Sequence, residues 1–165
     1  MGFSRTSVFY AVAAATAVLD QVTKLAARKM LTPGKQLTVV PGFFDLELTY
    51  NTGVAFGILP DWTPLLIILG LCAVYAFVRL GSTTAPKNPR LTYAVAMLAG
   101  GAAGNLIDRL VSRKRAVTDF LSFHITISGK TYCWPSFNLA DVGIVVGAVI
   151  LIVTMYVSEK RRDIK

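Results

Sequence analysis

Four apolar runs, at approximately 7–27, 62–80, 91–111 and 137–157, constrain this chain more than any other feature. A hydrocarbon core of ~30 Å takes about 20 helical residues to cross, and each run has that length or nearly so. Inside lipid the backbone N–H and C=O groups have no water to bond, so a single apolar run crosses as a helix that satisfies them internally. Composition agrees, because 54% of the 165 residues are apolar and only 16% are charged, too greasy for an ordinary water-soluble domain. The expected fold is therefore an all-α integral membrane protein with four transmembrane helices. A small extracytoplasmic β-sheet or hairpin region completes a single domain over 1–165.

The first run invites reading as a cleaved export signal, since Arg5 precedes an Ala-rich stretch. It continues, however, through Asp20 and Lys24, whose i,i+4 spacing and order favour an intrahelical ion pair. No soluble domain follows for a signal to export, so a retained helix is expected. The formal charge of +8 does not point to nucleic acid, because the Lys and Arg flank apolar runs rather than gathering in one patch among aromatics. Anionic membrane lipid is the better partner for such flanks.

An even number of spans puts both termini on one side. Eight Lys and Arg fall on that side and nine on the other, so charge bias does not choose the orientation. The tail 159–165 and the Pro86-Lys87-Asn88-Pro89-Arg90 turn are expected to be cytoplasmic. Cys72 lies within an apolar run and Cys133 in a loop, and both are expected to be free thiols.

The two long connections, 28–61 and 112–136, fall on one side of the membrane. Phe44-Asp45-Leu46-Glu47-Leu48-Thr49-Tyr50 alternates with the period of a half-buried strand, and Asn51-Thr52-Gly53 offers a turn. A hairpin is expected from Phe123 to Trp134, turning at Ser128-Gly129-Lys130. Together these loops can shelter a site at the bilayer rim.

Ionisable residues within spans are costly and hence functional candidates. On the third helix Gly101, Asn105 and Asp108 share a face, with Arg109 four residues after Asn105. A plain alternative makes Asp108 and Arg109 a charge pair anchoring the helix end. On the fourth, Asn138 and Asp141 share a face, and the plain alternative is a helix cap followed by a first-turn acid. A second carboxylate, Asp119, sits in the preceding loop among apolar neighbours. Two facing carboxylates cannot both ionise at short range, so they share a proton and supply one base and one acid. Such a pair activates water for attack on an amide.

Other hydrolytic chemistries lack their residues. His124 is the only histidine and is expected on a hairpin with no carboxylate pattern beside it, and neither G-x-S-x-G nor H-E-x-x-H occurs. The reading requires no metal and no cofactor. Gly100-x-x-x-Gly104 and Gly143-x-x-x-Gly147 are small-residue faces for close helix packing, which brings Asn105 toward the start of the fourth helix.

Five segments in order resemble the bacterial prolipoprotein signal peptidases, the type II signal peptidases. Asp20-Gln21-Val22-Thr23-Lys24 is similar to D-Q-x-x-K, and Asn51-Thr52-Gly53-Val54-Ala55-Phe56-Gly57 to N-x-G-x-A-F-G. Gly104-Asn105-Leu106-Ile107-Asp108-Arg109 resembles G-N-x-x-D-R, and Val117-Thr118-Asp119-Phe120 resembles V-x-D-F, although Ala116 stands where glycine is frequent. Trp134-Pro135-Ser136-Phe137-Asn138-Leu139-Ala140-Asp141 resembles W-P-x-F-N-x-A-D.

The resemblance implies four transmembrane helices in the bacterial inner membrane, a small extracytoplasmic sheet and cytoplasmic termini. It implies an enzyme that cuts diacylglyceryl-modified prolipoproteins before the lipobox cysteine, and a monomer is expected. Carried onto this chain, it makes Asp119 and Asp141 the catalytic pair, with Asn51, Asn105, Arg109 and Asn138 around the substrate. Asp20, Lys24, Gly101 and Asp108 fall in a supporting group. The alternative of another class is a small proton-coupled transporter or channel using paired acids, for which inverted repeats and midplane acids would be expected. A prepilin-type membrane peptidase would need a G-x-G-D motif, which is absent.

Overall fold

The computed structural model describes residues 4–53, 62–84 and 88–163. The elements run α1 (Arg5–Met30), β1 (Gln36–Val40), β2 (Phe44–Asn51), α2 (Thr63–Thr84), α3 (Pro89–Val111), β3 (Val117–Ile127), β4 (Lys130–Cys133) and α4 (Leu139–Asp163). All four helices are long and apolar enough to cross a membrane. Residues 54–57 of the N-x-G-x-A-F-G stretch, Pro86 and Lys87 of the polar turn, and the end of the basic tail lie outside the described residues.

Capping residues extend the helices past the apolar runs. Ser4 Oγ accepts the Ser7 N–H at 3.1 Å to open α1. Asn88 caps α3, and Pro89 follows at a position where its missing N–H costs nothing. α3 is the central helix: 56% of its span is buried, against 17, 11 and 22% for α1, α2 and α4. Its glycines make that possible. A Cβ on Gly101 would lie 2.5 Å from the Ala140 carbonyl of α4, and one on Gly104 would lie 2.5 Å from Asp20 Oδ2 of α1. The outer faces of α1, α2 and α4 expose Leu, Ile and Val side chains, which suits contact with acyl chains.

One antiparallel sheet, in the order β1-β2-β3-β4, joins both long connections. The hairpin through Ser128 and Gly129 forms as expected, with His124 opposite Cys133 and Ile127 opposite Lys130. Three details differ from expectation. β1 was not legible, since all five of its residues are exposed and carry no inside-outside pattern. β2 runs through Asn51 into the expected turn, closed by the Gly53 N–H on Asn51 Oδ1 at 3.0 Å, and the chain also reverses ahead of β2, at residues 41–43, where Gly42 takes a φ of 75°. Asp119 belongs to a strand rather than a loop: Val117 to Phe120 are all buried, so β3 begins without the alternation that marks a strand. Cys72 and Cys133 are free and exposed.

Candidate active site

Strand pairing delivers both carboxylates to one place. Just before α4, the Phe137 carbonyl accepts the N–H groups of Phe120 and Leu121 at 3.0 and 2.9 Å, while the Phe137 N–H donates to the Leu121 carbonyl at 3.0 Å. The start of α4 is thereby tied to β3 beside Asp119. Phe123 stacks between Phe44 and Phe137, with centroids 4.6 and 5.7 Å away, and packs the same join from the side.

Asn138 then links the two acids. Its Oδ1 accepts the Asp141 N–H at 3.1 Å, and Asp141 Oδ2 accepts the Asn138 N–H at 3.2 Å, a reciprocal cap that satisfies two orphan donors. The same side chain donates through Nδ2 to Asp119 Oδ1 at 2.6 Å. The helix-cap alternative for Asn138 and Asp141 is thus true of the geometry and compatible with a site. Asn51, two residues beyond the Thr49–Asp119 pair on the same strand face, donates to Asp119 Oδ2 at 3.3 Å. Asn105 Nδ2 donates to Asp141 Oδ1 at 2.8 Å, as close packing of α3 and α4 leads one to expect.

The Asp119 carboxyl is buried, with 3% of its surface exposed. Burial pushes its pKa up to about 7, and the neighbouring Asp141 charge adds to the rise, against the hydrogen bonds from Asn138 and Asn51 and the Lys24 charge. A group poised there exchanges protons at neutral pH. Arg109 does not pair with Asp108, contrary to the plain alternative. Its Nη2 donates to the Gly53 carbonyl at 2.9 Å and its Nη1 to the Asn105 carbonyl at 3.4 Å, within electrostatic reach of Asp119 and Asp141.

Asp108 turns instead toward a second buried cluster. Lys24 Nζ contacts Asp20 Oδ2 at 2.8 Å, Asn105 Oδ1 at 2.9 Å and Asp108 Oδ2 at 3.4 Å, so all three ammonium protons have acceptors. Asp20 Oδ1 accepts the Ala140 N–H at 2.9 Å, and Asp108 Oδ2 accepts the Thr118 N–H at 2.8 Å. Ala140 and Thr118 immediately precede Asp141 and Asp119. Each acid of this cluster therefore holds the backbone one residue before an acid of the other.

Gln21, Arg28 and Thr118 were not singled out by the sequence reading. Gln21 Nε2 reaches Asp20, Gly104 and Asp108, and Arg28 Nη1 reaches Thr118 Oγ1 at 2.8 Å. A signal existed, since Asp20, Lys24 and Arg28 recur every four residues along one helical face. His124 also departs from expectation, for its Nδ1 lies 3.3 Å from Asp45 Oδ2. The carboxylate comes from β2, a cross-strand neighbour that local sequence does not reveal.

Four helices long and apolar enough to span a membrane, with a buried carboxylate, Asp119, and a half-buried one, Asp141, joined through Asn138, define a polytopic membrane protein with a paired-acid site. Residues 12–157 match the family model described as Signal peptidase (SPase) II, and the chain belongs to that family. A lipoprotein signal peptidase of Oleidesulfovibrio alaskensis is 42% identical over 157 residues, covering 92% of this chain and 96% of the relative. One from Rhodopseudomonas palustris is 43% identical over 144 residues, covering 81 and 82%. Among solved structures, a bacterial membrane enzyme determined by the in meso method at 2.3 Å matches with a TM-score of 0.79 and 27% identity, covering 94% of this chain and 91% of that one. A second, at 1.9 Å, gives 0.73 and 28% over 90 and 92%. Nothing in these likenesses supports the transporter alternative.

Proposed function

We propose that this chain is an aspartic endopeptidase that removes signal peptides from diacylglyceryl-modified prolipoproteins, cutting before the lipobox cysteine. The lipoprotein signal peptidases it resembles support the substrate class. The catalytic type rests on one observation: Asp119 and Asp141 both bond Asn138, and their described partners are asparagines and backbone rather than cations. Two acids so placed hold one proton between them. The ionised one takes a proton from water as the oxygen attacks the scissile carbonyl carbon. The protonated one gives its proton to the carbonyl oxygen, and as the C–N bond breaks the acid that took the water proton passes it to the departing nitrogen while a diol hydroxyl returns its proton to the other carboxylate. No covalent enzyme intermediate forms.

Asn51, Asn105, Arg109 and Asn138 orient the peptide around the pair. Asp20, Lys24, Gly101 and Asp108 hold the elements that carry it. On this reading the site faces the extracytoplasmic side of the inner membrane, where an exported substrate arrives, and both termini are cytoplasmic; the even number of spans supports it by putting the two long connections and their sheet on the side away from the termini. Purified protein incubated with a lipidated prolipoprotein should release the signal peptide, and an intact substrate after prolonged incubation overturns the reading. For orientation, cysteine placed at Lys130 should label from outside and cysteine at Lys87 from the cytoplasm. Labelling of position 130 only from the cytoplasm would put the acids out of reach of an exported substrate.

A further inference from the structure

Where α1 and α3 end, beside β2 and β3, lies a cleft of about 420 Å³ lined by none of the residues assigned above to catalysis or substrate binding. That volume falls among small-molecule sites, which run roughly 300 to 1,000 Å³. Its wall carries three cations, Arg28, Arg113 and Lys114, against one carboxylate, Asp108. Asp108 is already engaged by Lys24, Arg28 and the Thr118 N–H, so the rest of the wall presents net positive charge.

Two of the cations are held in place. Arg28 bonds Thr118 Oγ1 and Asp108 Oδ1, both through Nη1, while its side chain remains 30% exposed. A guanidinium has five N–H donors in a planar fork, so donors remain for the oxygens of a phosphate. The Lys114 ammonium sits 4.6 Å above the Tyr50 ring, a cation–π contact that restrains an otherwise mobile side chain.

The depth of the cleft indicates where the phosphate comes from. α1 ends at Met30 and α3 at Val111, so the cleft lies where spanning segments give way to the interface. Leu25 and Val111, on the same two helix ends, are 49 and 78% exposed, as suits contact with acyl chains. We propose that this cleft seats the phosphodiester headgroup of an anionic membrane phospholipid, with its chains lying along the ends of α1 and α3. The site is separate from the peptidase reading, and its readout is lipid retention rather than cleavage.

The full chain in nanodiscs of equal phosphatidylglycerol and phosphatidylcholine should retain phosphatidylglycerol after extraction into detergent, as read by native mass spectrometry. Removing two cations with Arg113→Gln and Lys114→Gln should cut that preference by about thirtyfold, at about a kilocalorie per charge near a surface. Lys29→Gln with Lys35→Gln removes equal charge from exposed positions outside the cleft and should leave the preference largely intact, with helical signal and melting confirming that each variant folds. Equal retention of both lipids overturns the proposal, as does an equal loss in the two double variants. Displacement of phosphatidylglycerol by excess inorganic phosphate would reassign the cleft to a soluble anion.

Discussion

Asp20 with Asp108 and Asp119 with Asp141 are two pairs of aspartates at the same end of one bundle, and Asn105 touches both groups. They differ in what surrounds them. Lys24 lies against both acids of the first pair, with Arg28 beside Asp108, so two carboxylates face two cations. The second pair has asparagine donors, which bond a carboxylate without neutralising it. Compensated acids serve as ties between backbone segments. Acids with no cation bonded to them can share a proton and keep it exchangeable, so on the proposed reading the environment rather than the residue type separates support from chemistry.

The comparison is broken most directly at the second pair. Asp119→Asn and Asp141→Asn should each lower cleavage of a lipidated prolipoprotein by roughly 10²- to 10⁴-fold, because an amide cannot exchange the required proton. Neither should unfold the protein, as read by thermal melting in detergent. Near-normal turnover in either variant would sink the assignment. At the first pair the outcome should invert. Lys24→Met leaves Asp20 and Asp108 without their shared cation and should cost roughly 3 to 5 kcal/mol of stability. Asp20→Asn combined with Lys24→Met should cost less than the sum of the single changes, because the uncompensated charge goes with its partner. Additive losses would show that the ion pair is not what holds these helices.

Much of this difference was readable in advance. The spans announce themselves by length, and the Asp20–Lys24 pair by its spacing. Asp141 and Asn138 were legible as neighbours because a helix start fixes them locally. What the sequence could not convey was the long-range bookkeeping of partners. Asp108 bonds α1 and β3 rather than its neighbour Arg109, and Arg28 closes onto Thr118 across 90 positions. Asp119 looked like a loop residue because a strand buried on both faces loses its period of two. β1 gave no signal for the opposite reason, being exposed throughout.

Asn105 and Arg109 sharpen the boundary between the clusters. Asn105 accepts from Lys24 and Asn138 while donating to Asp141, so Asn105→Ala should affect both stability and turnover. One lost hydrogen bond contributes roughly 0.5 to 1.5 kcal/mol, or 1.5 to 3 when charged. A fall in kcat/KM of about ten- to a hundredfold is expected for Asn105→Ala and Arg109→Ala, with measurable turnover remaining. Wild-type kinetics in both variants would assign these residues to helix packing alone.

The smallest effect expected is a pH dependence of turnover, carried by the second pair. With the Asp119 carboxyl pushed up to about 7, the pair loses its shared proton above neutrality, and kcat/KM should fall about tenfold per pH unit there. Stability carries the same sign. A raised folded value means that the native state holds a proton the unfolded chain has already released between 3.8 and about 7. The contribution is fully present below 3.8 and is lost as the pH rises through about 7, after which both states are ionised and the slope vanishes. Asp119→Asn removes the titrating group, so its melting temperature should lose that part of the slope while the remaining acids keep theirs. A wild-type kcat/KM that stays level through neutral and mildly alkaline pH would mean that the nearby Lys24 and Arg109 charges compensate the second pair as fully as bonded cations compensate the first, and the two clusters would then differ in position but not in kind.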